Sequence, residues 1–496
     1  MMRRFLILTF FFPALVAAQE MHDHPAPEKL GTVSFPTSCR QETQQEFNRA
    51  VALLHSFAYG AAEEAFKSVA AQDPQCAMAH WGVAMTHFHE LWDPHLPPAG
   101  IASGQKEIAQ AETINAATER ERGFIHALSL LYKDADTVPY NTRAVNYEGA
   151  MREVATANPK DTEAQVFYAL ALLSNASPMD KTHTKQKQAA ELLEPLYREF
   201  PDHPGIPHYL IHAYDSQELA PRGVAAARAY SKIAPSAPHA LHMPSHIFTR
   251  LGLWDDSIAS NLAAEDAAQK RGETSDELHA MDYLVYAYLQ TGRDQEAAQV
   301  IEHLKTMESA GLGADLKFGY AATAMPVRYV VERHEWSDAE KIVPPPDSAL
   351  PHVRAIAVWA RGMGLARNGH PLEARKEAET LGQLEERLKA SGNGYWASQV
   401  NIQRREVLAW ANEAEKKPEE AAAMLRSAAD DEDKIEKLPV TPGPIVPARE
   451  QLGEMLLEQG DSAAAYKAFE TALVNAPGRR GALLGASRAA RNSAQK

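Results

Sequence analysis

Six histidines, His203, His208, His212, His239, His242 and His246, fall within 44 residues of this chain. Their spacing is regular. His208 and His242 are 34 apart, and so are His212 and His246. Within each pair the two residues are four apart, which places both imidazoles on one face of a helix. Four imidazoles on two neighbouring helices could converge on one divalent transition metal, and imidazole suits zinc, copper, iron or nickel. His208, His212, His242 and His246 are therefore candidate metal ligands, with zinc or copper as the candidate ions. A nearby carboxylate, Asp215 or Asp282, could add an oxygen ligand or orient an imidazole. No Glu lies between the histidines of either pair, so the pattern is not that of a zinc peptidase helix. The same imidazoles could instead line a groove for a peptide, a protein segment or a small ligand, or serve only as packing. Pro244 lies between His242 and His246 and predicts a helix start or a kink there.

A period of 34 residues sets the frame that must position these groups. It is clearest near the end, in PAREQLGEMLLEQGDSAAAYKAFETALVNAPGRR. There Leu452, Gly453, Leu456, Gly460, Ala465, Phe469, Ala472 and Pro477 describe a helix, a turn at Gly460, a second helix and a proline stop. Ala62, Phe66, Val69 and Pro74 repeat the frame, as do Ala189, Leu193, Leu196 and Pro201, and Ala227, Tyr230 and Pro235. The pattern resembles the tetratricopeptide repeat, a helix–turn–helix unit that buries its apolar face only by stacking on neighbours. The resemblance covers most of residues 40–490. It implies an all-α fold, with about eight to ten helical hairpins stacked in a right-handed superhelical solenoid.

The family resemblance also implies which positions face the concave groove. His208 and His242 would stand at position 5 of their repeats, His212 and His246 at position 9, Asp215 at 12 and His239 at 2. His279 and Asp282 would stand at positions 2 and 5 of the next repeat, which begins six residues late. The implied groove wall over residues 203–282 thus carries His208, His212, Asp215, His239, His242, His246, His279 and Asp282. The leading functional expectation is a binding or scaffold protein with a protein or peptide partner. The alternative is a metal-binding protein or a metallohydrolase at the same residues. No other motif with a usable context settles whether the protein is an enzyme.

Composition narrows the setting. Asp plus Glu outnumber Lys plus Arg by 65 to 50, a formal charge of −15, which argues against nucleic acid as a partner. Residues 1–18, MMRRFLILTFFFPALVAA, join a basic head, a short apolar stretch and small residues, the pattern of a secretory signal peptide. A periplasmic or secreted protein is expected, with no membrane insertion of the mature chain. Signal peptide, APSAPHALHMPSHIFTRLGLW and TPGPIVPAREQLGEML together resemble exported bacterial tetratricopeptide-repeat proteins of unassigned activity. Cys39 and Cys76 are the only cysteines, flank one hairpin, and are expected to form a disulfide in an oxidising compartment. The expected organisation is a flexible lead-in over 19–38, an array over 39–340, a Pro-rich connector over 341–351 and a second array over 352–496. The Pro-rich stretch 438–447 reads as another connector, and the arginines from Arg479 onwards as a solvated basic end.

Overall fold

A computed structural model describes residues 28–89, 91, 97–307 and 316–494 of the protein. The expected signal peptide over 1–18, the start of the expected lead-in, and residues 90 and 92–96 lie outside the described residues. Every regular element among the described residues is a helix. Eleven helical pairs follow one another, from Gln44–His55 with Tyr59–Gln72 to Ala448–Glu458 with Ser462–Asn475, and the helix Arg480–Ala494 ends the row. This all-α solenoid is the expected fold with more units than the sequence pattern shows. One missed unit has a second helix of four residues, Trp336–Ala339, too short to carry a periodic signal. Another has a helix, Pro98–Ile114, that starts inside an apparent Pro-rich loop, because proline is well placed at the first helical position.

The last hairpin shows how the repeat residues act. Asp461 caps its second helix by accepting from the Ala464 N–H at 3.0 Å. Gly460 makes the turn at φ +85°. A Cβ on Gly453 would lie 2.7 Å from the Phe469 ring, so glycine is what lets the two helices approach. The Cys39–Cys76 disulfide is present, with Cα atoms 4.8 Å apart. It encloses the first hairpin and contributes about 3–4 kcal/mol in the loop-entropy model.

Three segments expected to be loose are structural. Residues 28–38 of the supposed flexible lead-in run along the array. Thr32 N–H donates to Asp202 O at 2.9 Å, and Phe35 is fully buried among Phe47, Trp81, Phe124 and Phe167. An apolar ring seated between repeats outweighs the entropy of a free tail. Arg479, read as solvated, is fully buried between Glu332, Glu450 and the Tyr286 hydroxyl, at 2.7–3.2 Å. Trp254 Nε1–H donates to Gly478 O at 3.1 Å, so the last repeat docks on the middle of the array. The Pro-rich stretch 438–447 lies inside the array: Tyr283 Oη donates to the carbonyls of Pro439 and Thr441, and Arg328 to those of Gly443 and Pro444. The connector over 341–351 separates the helices Leu316–Glu332 and Pro351–Arg367, which pack on each other across it.

Candidate metal centre

The helix Gly205–Tyr214 carries His208 and His212 on one face. The next repeat supplies Pro238–His242 and Pro244–Arg250. Met243 between them has helical φ −52° and ψ −36°, so the two segments run on as one. Pro244 removes a backbone donor without turning the chain, and His242 and His246 keep one face. His279 lies on Thr274–Gln290 of the following repeat.

These helices bring the predicted histidines together, but not as four around one point. They form two triads, His208–His212–His239 and His242–His246–His279, with the ligand-capable atoms of each within 4.8 Å of one another. In the first, His208 Nε2 lies 3.1 Å from His212 Nε2 and 3.2 Å from His239 Nε2. In the second, His242 Nε2 lies 3.0 Å from His246 Nε2, and the His242 and His279 rings are 4.3 Å apart. The expected grouping of four histidines is thus replaced by two clusters of three. Successive repeats are offset by a helix-packing distance, so each HxxxH pair finds its third imidazole at position 2 of the next repeat.

His208, His212, His239, His242, His246 and His279 are all buried, only His212 borders a cleft, and the stretch 437–444 packs on Asp215, Tyr283 and Arg328. The reading of these residues as open peptide contacts is corrected accordingly. Asp215 is not a candidate first ligand either. Its Oδ1 accepts from Arg250 Nε at 2.8 Å, and its Oδ2 accepts from Lys437 Nζ at 2.8 Å and from His246 Nδ1–H at 2.9 Å. Burial alone would raise its pKa, but Lys437 and Arg250 outweigh it and hold the carboxyl well below the usual range. Burial pushes Lys437 down to about 8. Asp282 faces Arg328, with Oδ1 3.4 Å from Nε, and stands outside both triads; burial pushes it up to about 6.

Hydrogen positions follow from the outer partners. His242 Nδ1 lies 2.6 Å from Asn261 Oδ1, and Asn261 Nδ2 donates to Ser257 O at 2.8 Å, which turns the amide oxygen to the ring. His242 Nδ1 therefore donates. His246 Nδ1 donates to the Asp215 carboxylate. His208 Nδ1 donates to the His55 carbonyl at 2.6 Å. Burial lowers the pKa of His246, lowers that of His208 to about 3, and holds that of His212 well below the usual imidazole value. Neutral rings with Nδ1–H leave Nε2 as a lone pair. With both Nδ1 atoms donating outward, neutral rings in the second triad would set two Nε2 lone pairs facing each other at 3.0 Å.

A third cluster, His55–Glu163–His203, behaves otherwise. Gly205 N–H donates to His203 Nδ1 at 3.2 Å, so His203 Nε2–H donates to Glu163 Oε1 at 2.9 Å. His55 Nε2–H donates to Glu163 Oε2 at 2.9 Å, and the Tyr209 hydroxyl donates to His55 Nδ1 at 2.9 Å. Each ring has one donor and one acceptor met, so this is a closed hydrogen-bond network. A fourth group, Cys39, Cys76 and Asp73, is excluded because the disulfide takes both sulfurs.

Several functional neighbours were invisible in the sequence. Asn261 is 19 residues from His242 on another helix, and Lys437 is 222 residues from Asp215. Nothing local marks either. A cleft of about 500 Å³ reaches His212 and Asp215, with Tyr140, Asn175, Ser216, Trp396 and Lys437 in its walls.

No family model and no curated protein matches the chain. Among solved structures, similarity extends to the tetratricopeptide domain of P58(IPK), at 12% identity and TM-score 0.24, over 92% of this chain and 99% of that one. It extends also to a monomeric mutant of IFIT1 with Gppp-AAAA, at 12% identity and TM-score 0.38, over 92% and 96%. Yeast Tom70 follows at 11% identity and TM-score 0.32, over 92% and 90%. Scores this low carry no functional argument. The chain's own 34-residue hairpins and their close small-residue packing make it a tetratricopeptide-like helical array.

Proposed function

We propose that this is an exported metal-binding protein whose helical array encloses a buried imidazole site for zinc or copper. The observation that supports it is the His242 Nε2–His246 Nε2 separation of 3.0 Å, with both Nδ1–H groups already committed to Asn261 and Asp215. Facing lone pairs in a buried site are repulsive unless a cation lies between them. Imidazoles on a tetrahedral ion at 2.0–2.1 Å have nitrogens about 3.3 Å apart, close to this spacing. Outer partners that orient ligating imidazoles through Nδ1 are a regular part of metal sites. Export is supported by the N-terminal pattern and by the Cys39–Cys76 disulfide. No helix among the described residues is long and apolar enough to cross a membrane.

The test is elemental analysis of untagged protein purified from the periplasm without chelator, wild type against His242→Ala/His246→Ala. Stoichiometric zinc or copper in the wild type, reduced by at least one ion per chain in the variant, is expected. Protein that comes out empty and takes up neither ion at micromolar levels would leave the histidines as packing or as a proton-sharing pair. A protein or peptide partner is a second reading. With the six imidazoles buried, that partner would be taken in the cleft beside Asn175 and Trp396 or on the outer surface. Substitutions in that cleft that abolish partner capture while leaving metal content intact would favour it.

A further inference from the structure

The first triad has the same unresolved hydrogen problem as the second. His208 Nδ1 donates to the His55 carbonyl, so the single lone pair at His208 Nε2 meets two imidazole nitrogens, 3.1 and 3.2 Å away. One lone pair accepts one good hydrogen bond. If His212 met that need through Nε2–H, its Nδ1 would become a bare acceptor, and that atom is buried without a hydrogen-bond partner. If His239 donates instead, the Nε2 lone pair of a neutral His212 faces that of His208 at 3.1 Å.

The two triads are one site written twice. His208 and His242 correspond, as do His212 and His246, each 34 apart. The third members, His239 and His279, are 40 apart, which is 34 plus the six-residue delay before the helix Thr274–Gln290. The sites also interlock. One helical segment gives His239 to the first and His242 and His246 to the second. The His212 and His246 rings are 5.9 Å apart, and the His239 and His242 rings 6.1 Å. Asp215, three residues beyond His212, holds His246.

Access separates them. Of the six imidazoles, only His212 borders the cleft of about 500 Å³. The second triad lies under Tyr283, whose ring is 4.8 Å from His242 and 5.1 Å from His246 and whose hydroxyl is tied to Pro439 and Thr441.

We infer that the protein holds two transition-metal ions, one per triad, about one helix-packing distance (8–10 Å) apart. The ion on His208, His212 and His239 is the one that meets small oxygen- or nitrogen-donor molecules, through the cleft beside His212. The ion on His242, His246 and His279 is sealed. This rests on the metal reading above.

The experiment is a copper(II) titration of the full exported protein, followed by elemental analysis, electron paramagnetic resonance and azide addition. Wild type is compared with His239→Gln and His279→Gln, each checked for native helicity by circular dichroism. Two ions per chain are expected in the wild type and one in each variant. Dipolar broadening should mark the doubly loaded wild type and vanish in both variants. Azide should shift the spectrum of wild type and of His279→Gln, and leave that of His239→Gln unchanged. One ion, kept in His239→Gln and lost in His279→Gln, would overturn the two-ion inference and leave the single-site reading standing. Two ions with no azide response in His279→Gln would overturn the assignment of the open position. No uptake by any of the three proteins would remove both readings together.

Discussion

Two kinds of histidine cluster sit side by side in this protein, and proton positions tell them apart. Around Glu163, His55 and His203 meet every requirement: each ring donates one hydrogen and accepts another. Around His208 and around His242, imidazoles of similar burial point Nε2 at one another while the Nδ1 atoms of His208, His242 and His246 are committed outward. Proximity and burial alone would class all three as metal-ligand groups. The difference teaches that a cluster asks for a cation only when its own hydrogens cannot complete it. A carboxylate supplies that completion in one case. In the other two, no carboxylate stands between the Nε2 atoms that face one another.

The sharpest break of the comparison is Glu163→Ala. It leaves two buried Nε2–H donors without acceptors, each costing about 1–3 kcal/mol, so denaturant unfolding should show a loss of about 4 kcal/mol. Bound metal should stay at the wild-type level. Metal lost together with stability would mean that the three clusters form one unit, joined through the His208 contact with the His55 carbonyl.

Chelation should act on the triads alone. Adding EDTA to the wild type should lower stability by about 2.7 kcal/mol for each site at which free metal had stood at a hundredfold over its Kd. The same addition should leave a variant lacking His242 and His246 with a smaller loss, carried by the first triad. Equal losses in both proteins would place the metal elsewhere.

Smaller changes probe the partners that aim each ring. Asn261→Leu removes the acceptor that fixes the His242 tautomer. Loss of such a partner weakens metal affinity about 10–100-fold, which a competition titration reads directly. An unchanged affinity would mean that Ser245 or a water takes over the role. Tyr209→Phe removes only the donor to His55 Nδ1. A stability loss of about 1 kcal/mol with unaltered metal affinity is expected, and an affinity change would erase the distinction between the clusters.

The sequence by itself determined the array. Prolines, small residues and aromatic rings at a 34-residue period specify hairpins that must stack, because one hairpin cannot bury its apolar face. It also determined which histidines are equivalent, since residues one repeat apart occupy the same place. His279 was legible even across a six-residue delay. Helical periodicity is a local property, and a chain carries it openly. The grouping of the imidazoles was not local. Whether His208 and His212 complete their set with His239 or with the next HxxxH pair depends on the offset between repeats, which only packing decides.

The same holds for the surroundings. Asp215 is deprotonated and pinned because Lys437 and Arg250 arrive beside it, and Lys437 comes from more than two hundred residues away. The stretch 438–447 reads as a connector because its prolines forbid a helix, and that much is right. Nothing in its composition says that it packs onto Tyr283 and Arg328 beside the second triad. Tertiary structure decided that, because its carbonyls found Tyr283 and Arg328, both drawn from distant repeats. Spacing chose the chemistry these residues are capable of, and closure of the array decided where that chemistry is sealed and where it stays open.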